Sequence, residues 1–502
     1  MNVKSFSSLV RSGFFILIGA LGLSLSCKTK NKIPTTQPNI LFILIDDLGK
    51  EWVSTYGADD VQTPNVDKLA ATGISFTNAY SMPQCTPSRV ALLTGQYPWR
   101  NGWINHYDVP RWGHGAQFDP KMYTTFARIM KSAGYVTCAA GKWQINDFRI
   151  QPDIMIQHGF DEYCMWTGGE GGNVEISNKR YWNPYIHTKE GSKTYKGKFG
   201  DDIFTDFIIN FMKKHKDKPM MIYYPMCLTH GPFTTTPLEP DVEGKVEKHK
   251  AMVRYADFLL GKLIKSLDSL GIRDHTIVFW TTDNGTTPSM IGHRNGWAVR
   301  GGKTYLTENG INAPFIVNCP GIVPGGKITD ALVDFPDMLP TFAELGNAKI
   351  PEKDTIDGMS FAPLILGKKD DSPRKWIMAM GSHPSSIRNG RVVNYFSFRD
   401  RVIRDKKYKA YIDTTKVIYA LYDLKSDLGE RNNLINSDNP EVKNALEKFK
   451  EVLQKLPGKD ADPKYTKLKK SFYDIPVNSL NKMSKKGSQA PNKSPDPYYI
   501  KD

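Results

Sequence analysis

The sequence predicts an α/β chain: a large, mostly parallel sheet flanked by helices, then a smaller α+β domain built on an antiparallel sheet. Three observations predict it. Short, continuous apolar runs at 39–45, 220–224, 276–281 and 314–317 carry the signature of strands buried on both faces. Helical patterns at 66–72, 88–94, 123–133, 203–214 and 248–270 alternate with them, the pattern of a doubly wound sheet. Near residue 370 the rhythm changes to short β-rich segments and a single amphipathic helix.

Taken in order, residues 1–27 read as an export signal. Lys4 and Arg11 precede an apolar stretch at 14–25 that is too short to span a bilayer comfortably. It ends in Ser26-Cys27, which resembles a bacterial lipobox with Ser24 where Leu is usual. Lipidation would make Cys27 a membrane anchor; plain cleavage after Ser26 is the alternative. Either way the chain leaves the cytoplasm, and the periplasmic side is the expected location. A linker at 28–38 leads to the larger domain, 39–367. Residues 368–373 (Lys-Lys-Asp-Asp-Ser-Pro) read as a second linker into the smaller domain, 372–463. Its strand candidates are 376–380, 392–398, 407–412 and 420–423. Its helix starts at Pro440, with Asn439 as N-cap and Pro440 in the first turn, and runs to about Leu456. A basic tail, 464–502, reads as an extended strap or a disordered end.

Composition narrows the function. The 502 residues are 40% hydrophobic and 24% charged, enough for one large core and too apolar for intrinsic disorder. Formal net charge is +15, but residues 1–38 carry five basic and no acidic residues, and residues 463–502 nine basic and three acidic. The charge sits mostly at the ends, whereas a nucleic-acid binder concentrates it on the folded body; no nucleic-acid partner is expected. Of the six cysteines, Cys138, Cys164, Cys227 and Cys319 lack metal-type pairing. Buried free thiols are the first reading, and a disulfide among them stays open.

The chemistry-bearing residues stand where such a sheet places its sites, beyond the carboxyl ends of strands. Asp46-Asp47 end the first run, and Asp283-Asn284 follow the run at 276–281. Either pair alone also fits a turn or a helix cap. Cys85, in a Pro-rich turn, opens a helical segment whose free N–H groups and dipole favour an anion. Alone it fits the thiolate of a cysteine hydrolase or a structural thiol equally well.

Cys85-Thr86-Pro87-Ser88-Arg89, followed by Gly95-Gln96-Tyr97-Pro98-Trp99-Arg100-Asn101-Gly102, resembles the signature of type I sulfatases of the alkaline-phosphatase superfamily. The resemblance extends from Pro38-Asn39-Ile40 to Tyr422-Asp423-Leu424. It implies an alkaline-phosphatase-like fold and hydrolysis of sulfate esters, with Cys85 converted to formylglycine (3-oxoalanine) by a maturase. The hydrated aldehyde offers one hydroxyl to attack sulfur and a second to expel sulfate, which divides one hard step into two easier ones. Asp46, Asp47, Asp283, Asn284 and modified Cys85 are then the ligands of a divalent cation, Ca²⁺ in preference to Mg²⁺. By the same resemblance Arg89 holds the formylglycine, Lys142 in Gly-Lys-Trp and Lys303 in Gly-Gly-Lys clamp sulfate, and His230 protonates the leaving alcohol.

One position departs from the family. The His that usually follows Gly-Lys-Trp is Gln144 here, which can hydrogen-bond but cannot act as a base. His114, His106 or Asp283 could take the proton, Gln144 could merely orient a slow release, or the protein could be a weakened hydrolase. For substrate binding, Gln144, His293 and Arg294 are the candidates. The segment 293–297 (His-Arg-Asn-Gly-Trp) and the insertion at 103–107 offer Arg and Trp suited to a sulfated sugar, although packing aromatics would look the same. The leading expectation is a carbohydrate sulfatase. A phosphodiesterase or phosphonate hydrolase of the same superfamily, and a catalytically weak glycan-binding lipoprotein, remain as alternatives.

Overall fold

The first apolar run becomes β1 (Asn39–Ile45), and all seven of its residues are buried. Alternate side chains enter two different cores: Ile40, Phe42 and Leu44 join one, and Leu41, Ile43 and Ile45 the other. That is why the run lacks a polar face. Each such fully buried large aliphatic or aromatic side chain contributes about 1.5–3 kcal/mol relative to an exposed one. The computed structural model describes residues 37–104, 116–166, 179–382, 385–469 and 499–500. The export signal with Cys27, His106, His114 and most of the basic tail lie outside the described residues.

Further strands follow in chain order: β2 (Ile74–Tyr80), β3 (Val136–Lys142), β4 (Glu162–Trp166), β5 (Tyr185–Thr188), β6 (Gly191–Thr194), β7 (Met220–Pro225) and β8 (Thr276–Thr282). A short hairpin, β9 (Ile291–Arg294) and β10 (Trp297–Arg300), precedes β11 (Asn312–Asn318), β12 (Lys327–Thr329) and β13 (Val333–Asp334). The main sheet has eleven strands in the order β12-β2-β11-β8-β1-β7-β3-β4-β5-β6, with β13 beside β2. Strands β8, β1, β7, β3 and β4 are mutually parallel. Strand β11 runs antiparallel to both β8 and β2. The carboxyl ends of β1, β2, β3, β7 and β8 therefore meet at one edge, together with the amino end of β11. Helices Cys85–Thr94, Phe126–Ser132 and Met338–Leu345 cover one face. Helices Pro64–Ala71, Gly200–His215 and Lys245–Ser269 cover the other.

The smaller domain is the expected antiparallel sheet. It comprises β14 (Ile377–Met380), a hairpin of β15 (Ser385–Arg388) and β16 (Arg391–Asn394), then β17 (Arg401–Arg404), β18 (Tyr408–Ile412) and β19 (Ile418–Asp423). The four-stranded order is β14-β17-β18-β19. The final helix, Pro440–Lys455, starts where its cap predicts: the Asn439 side chain accepts a hydrogen bond from the Glu441 N–H at 2.9 Å. It buries Val442, Ala445, Phe449 and Leu453, one stripe of a helical surface.

Buried ion pairs fasten this sheet to the larger one. Glu308 receives Arg404 and Lys409, each at 3.1 Å, and the Tyr80 hydroxyl at 2.7 Å. Arg374 pairs with Asp337, and the Ser372 hydroxyl donates to the Leu332 carbonyl at 2.6 Å. Residues 368–373 are thus tied down at their end. The chain after the last helix crosses back as a strap: Ala461 N–H donates to Trp99 O, and Thr466 N–H to an Asp119 carboxylate oxygen. Tyr499 and Ile500 pair with β10.

Gly141 shows why β3 ends in Gly-Lys-Trp. Its φ is +117°, and a Cβ there would stand 2.0 Å from the Pro225 carbonyl oxygen of β7. Gly141→Ala is expected to destabilise the fold by at least the roughly 1–3 kcal/mol of a forced left-handed residue. A urea midpoint equal to wild type would show that β3 and β7 do not approach this closely.

Candidate active site

Helix Cys85–Thr94 begins directly after the loop that leaves β2, with Cys85 as its first residue and all ten residues buried. Pro87 fits in the first turn because no intrahelical acceptor is missing there, and Gly95 closes the helix at φ +67°. Ser88 fastens this turn to β8: its hydroxyl lies 2.6 Å from the Asp283 carbonyl oxygen and 3.0 Å from that of Met82. Arg89, one turn after Cys85, reaches the same edge.

The structure brings most of the sequence-predicted residues into one buried cluster. Arg89 donates to Asp283 Oδ2 at 2.7 Å and to the Lys142 carbonyl at 3.1 Å, and stands 3.7 Å from Asp46 Oδ1. Lys142 Nζ meets Asp46 Oδ2, and Lys303 Nζ meets Asp47 Oδ2, each at 2.6 Å. Asn284 Nδ2 donates to Asp47 Oδ1 at 2.8 Å, and the Asp47 N–H to Asp283 Oδ1 at 3.1 Å. His230 Nε2 lies 3.5 Å from Asp47 Oδ2. Ligand-capable atoms of Asp46, Cys85 and Asp283 lie within 4.8 Å of one another, and so do those of Asp46, Asp47 and His230. The base of the cluster is sealed, while His230 (27% side-chain exposure) and Lys303 (13%) form its rim.

Electrostatics follow from this interleaving. Burial alone would raise the Asp46 and Asp47 carboxyls, but Lys142, His230, Arg89 and Lys303 around Asp46, and Lys303, His230 and Lys142 around Asp47, hold both below the usual range. Asp283 goes the other way: burial and the neighbouring Asp46 charge raise it despite Arg89. Burial opposes charge on Lys303, yet Asp47 keeps it firmly protonated. His230 is pushed down by burial, against the pull of Asp47 and Asp46.

Two oxygens bear on metal binding. Asp46 Oδ1 and Asn284 Oδ1 are buried and lack hydrogen-bond partners. Unsatisfied buried oxygens are costly unless something electropositive meets them. Hard oxygen donors from three carboxylates and an amide, beside Cys85, fit a hard divalent cation. Backbone strain gathers here too. Asp47, Gln144 and Thr304 adopt φ of +61°, +72° and +76°, and Thr304, β-branched and next to Lys303, is tied by its N–H to Pro83 O at 2.7 Å.

His293 and Arg294 are placed elsewhere, on β9. His293 Nδ1 pairs with Asp60 at 2.9 Å, and Arg294 bonds Tyr56 O and the Tyr499 hydroxyl. The β9–β10 turn at Asn295-Gly296 sets both on a hairpin apart from the ends of β1 and β8, where they bond these other partners. Cys138, Cys164, Cys227 and Cys319 are buried free thiols, so no disulfide forms among them.

Sequence reading missed the support of the His230 loop. Asp201, in the first turn of Gly200–His215, accepts from the Cys227 N–H at 3.1 Å, and the Tyr181 hydroxyl donates to the carbonyl side of the same loop. Arg180 stands 3.1 Å from His230 Nδ1, with its guanidinium 4.0 Å above the Trp166 ring. Nothing in Lys179-Arg180-Tyr181-Trp182 marks these residues as functional; only the β4 and β7 ends bring them here.

With this geometry in hand, the comparisons with known proteins are specific. The Sulfatase family model matches residues 38–348, and a model of the N-sulphoglucosamine sulphohydrolase C-terminal region matches 297–459. The chain is 29% identical to an N-acetylgalactosamine-6-O-sulfatase of Bacteroides thetaiotaomicron, covering 87% of this chain and 98% of that one. It is 28% identical to bovine arylsulfatase A, covering 83% and 87%, and 29% identical to an ulvan-active sulfatase of Formosa agariphila, covering 82% and 80%. Among solved structures, Ps i-CgsB superposes with a TM-score of 0.70 at 24% identity, over 90% of this chain and 98% of that one. BT4656, solved with its substrate D-glucosamine-2-N,6-O-disulfate, superposes with a TM-score of 0.64 at 20% identity, over 84% and 98%.

Asp201 makes the site's support pH-dependent. Burial pushes its carboxyl up to about 7, against the Cys227 N–H that favours the charged form; unfolded Asp titrates near ~3.9. The folded state therefore binds the extra proton, and this contribution to stability is present at low pH and lost as pH rises from about 4 through 7. Asp201→Asn keeps the acceptor for Cys227 and removes the charge. Its unfolding free energy is expected to gain on wild type across that window, by at most roughly 1.4 kcal/mol per pH unit. Parallel urea profiles for the two proteins from pH 4 to 8 would refute this account.

Proposed function

Because the chain belongs to the sulfatase family and is a sulfuric ester hydrolase, we propose that its buried cluster removes sulfate from a sulfated carbohydrate. The relatives that act on sugar sulfates support the substrate class. One observation carries the site: Cys85 stands first on its helix within reach of Asp46 and Asp283, in a cluster that holds three carboxylates, three cations and two unsatisfied oxygens.

In this reading Cys85 is converted to formylglycine by a maturase, and its hydrated aldehyde supplies the nucleophilic hydroxyl. Asp46, Asp47, Asp283, Asn284 and modified Cys85 hold a divalent cation, Ca²⁺ in preference to Mg²⁺, which would lower the pKa of that hydroxyl and screen the sulfate oxygens. The chain's own groups do the rest. Arg89, fixed by Asp283, orients residue 85. Lys142 and Lys303 donate N–H bonds to the sulfate oxygens as charge moves onto them. His230 Nε2, on the rim, faces the entering ester and hands its proton to the departing sugar oxygen. Gln144 orients by hydrogen bonding and leaves proton removal to a carboxylate or water. The chain acts after export, on the periplasmic side, free or anchored through Cys27.

Three outcomes test the reading. Mass spectrometry of the peptide containing residue 85, from the native host, should find the aldehyde; intact thiol there would refute the nucleophile. Chelation should abolish turnover, and Ca²⁺ should restore it and raise the melting temperature, by about 2.7 kcal/mol of stability at a hundredfold excess over Kd. A chelated protein with full activity would refute the cation. Gln144→His is expected to change kcat by less than roughly threefold, since proton removal does not rest on residue 144; a tenfold rise would show that base strength limits turnover.

A further inference from the structure

The cations of the cluster are matched one by one: Arg89 to Asp283, Lys142 to Asp46 and Lys303 to Asp47. Arg180 breaks this pattern. It is 9% exposed, yet among the described residues no carboxylate pairs with it, and its Nε is buried without a partner. A guanidinium taken this far out of water is unfavourable unless an anion or several acceptors meet it. What it has is the face of Trp166 and one ring nitrogen, His230 Nδ1.

That nitrogen does not satisfy it. His230 Nδ1 also lies 2.6 Å from the Gly231 carbonyl oxygen. Arg180 only donates and a carbonyl only accepts, so Nδ1 serves one of them at a time. The Arg180 NH1 bond is therefore contested, and its Nε and NH2 side has no acceptor among the described residues. The guanidinium, planar in itself, lies 4.0 Å over the Trp166 ring, and such a fork binds carboxylate or sulfate with two parallel hydrogen bonds.

We propose that Arg180 is a specificity-determining residue that recognises a second anionic group, a carboxylate or a further sulfate, on the sugar bearing the scissile ester. The assignment rests on the carbohydrate-sulfatase reading. Its position explains the selectivity: it touches His230, the residue on the leaving-group side, so an anion it holds belongs to the departing sugar and not to the sulfate being cleaved. Arg180 needs no part in bond breaking; it adds binding energy for one substrate class and repays its own desolvation only when that class is bound.

The test uses the full-length mature enzyme and a panel with the same scissile sulfate: an aryl sulfate, a disaccharide whose neighbouring position is a hydroxyl, and its analogues with a second sulfate or a carboxylate. Wild type is expected to prefer one of the doubly anionic sugars by about tenfold or more in kcat/KM, and which one it prefers identifies the group. Arg180→Ala should lose at least tenfold more kcat/KM on that sugar than on the aryl sulfate, mainly through KM, and Arg180→Lys should recover part of the loss. Equal losses across the panel, with kcat falling, would overturn the proposal and make Arg180 a support for His230. So would a wild-type enzyme indifferent to the second anion. Turnover of the aryl sulfate alone would instead overturn the carbohydrate reading itself. Equal urea midpoints for the three proteins establish that the comparison is between folded enzymes, and a lower midpoint for Arg180→Ala leaves the Arg180→Lys comparison to decide.

Discussion

Three carboxylates, Asp46, Asp47 and Asp283, are buried within reach of one another at the ends of two adjacent parallel strands. Left alone they would repel, and burial would protonate them. Arg89, Lys142 and Lys303 come from three other parts of the chain to sit between them. Arg89 and Lys142 are as deeply buried as their partners, so removing either leaves a buried charge uncompensated, a loss on the order of 3–5 kcal/mol; Lys303 reaches Asp47 from the rim. The edge of the sheet is organised around this balance. It also leaves Asp46 Oδ1 and Asn284 Oδ1 over, and that surplus of buried oxygen is what a hard cation would meet.

Topology supplies the parts. Five motif-bearing strands end at the same edge, so their loops converge without long connections. Lys303 arrives differently. It precedes β11, which is antiparallel to its neighbours, and only that reversal turns an amino-terminal flank toward an edge otherwise built from carboxyl ends. The left-handed conformations of Asp47, Gln144 and Thr304 are the local cost of bending three loops into so small a space.

How much of this was legible in the sequence depended on range. Strand β1 could be read because double-sided burial leaves an unbroken apolar run, and the last helix because its cap and its stripe are local. Helices found from periodicity match the structure to within about three residues at each end; Cys85–Thr94, Gly200–His215 and Lys245–Ser269 each start one turn earlier than their apolar pattern. Strands β2 to β6 were missed: β2 and β3 interrupt their apolar residues with Ser, Thr, Asn or Gly, β4 and β5 are short, and the edge strand β6 is fully exposed. At the site, Asp46, Asp47, Asp283, Asn284, Cys85 and Arg89 were legible as motifs. Ser88 as a clasp, Asp201 beneath the His230 loop and Arg180 beside the imidazole were not, because each acts through a partner more than twenty residues away. His293 and Arg294 illustrate the converse: residue types suited to sugar binding, set by a hairpin turn to bond Asp60, Tyr56 and Tyr499.

The site divides into a base and a rim. The base residues are sealed and mutually paired, so a change in one propagates to all; this is where chemistry common to a family must reside. His230, Lys303, Gln144 and Arg180 sit higher, on loops that follow β7, precede β11, follow β3 and precede Gly200–His215. Those loops meet the base through a few contacts each: Thr229 N–H donates to Asp46 O, Lys303 Nζ to Asp47, and Arg180 reaches only the rim residue His230. Where a loop is held by its backbone, its side chains can change without disturbing the charge balance beneath it. Gln144 is an instance: a residue that differs from the usual histidine follows directly after Lys142 and Trp143, whose positions are fixed by Asp46 and by the aromatic core. Glutamine at this position leaves every pair of the base in place.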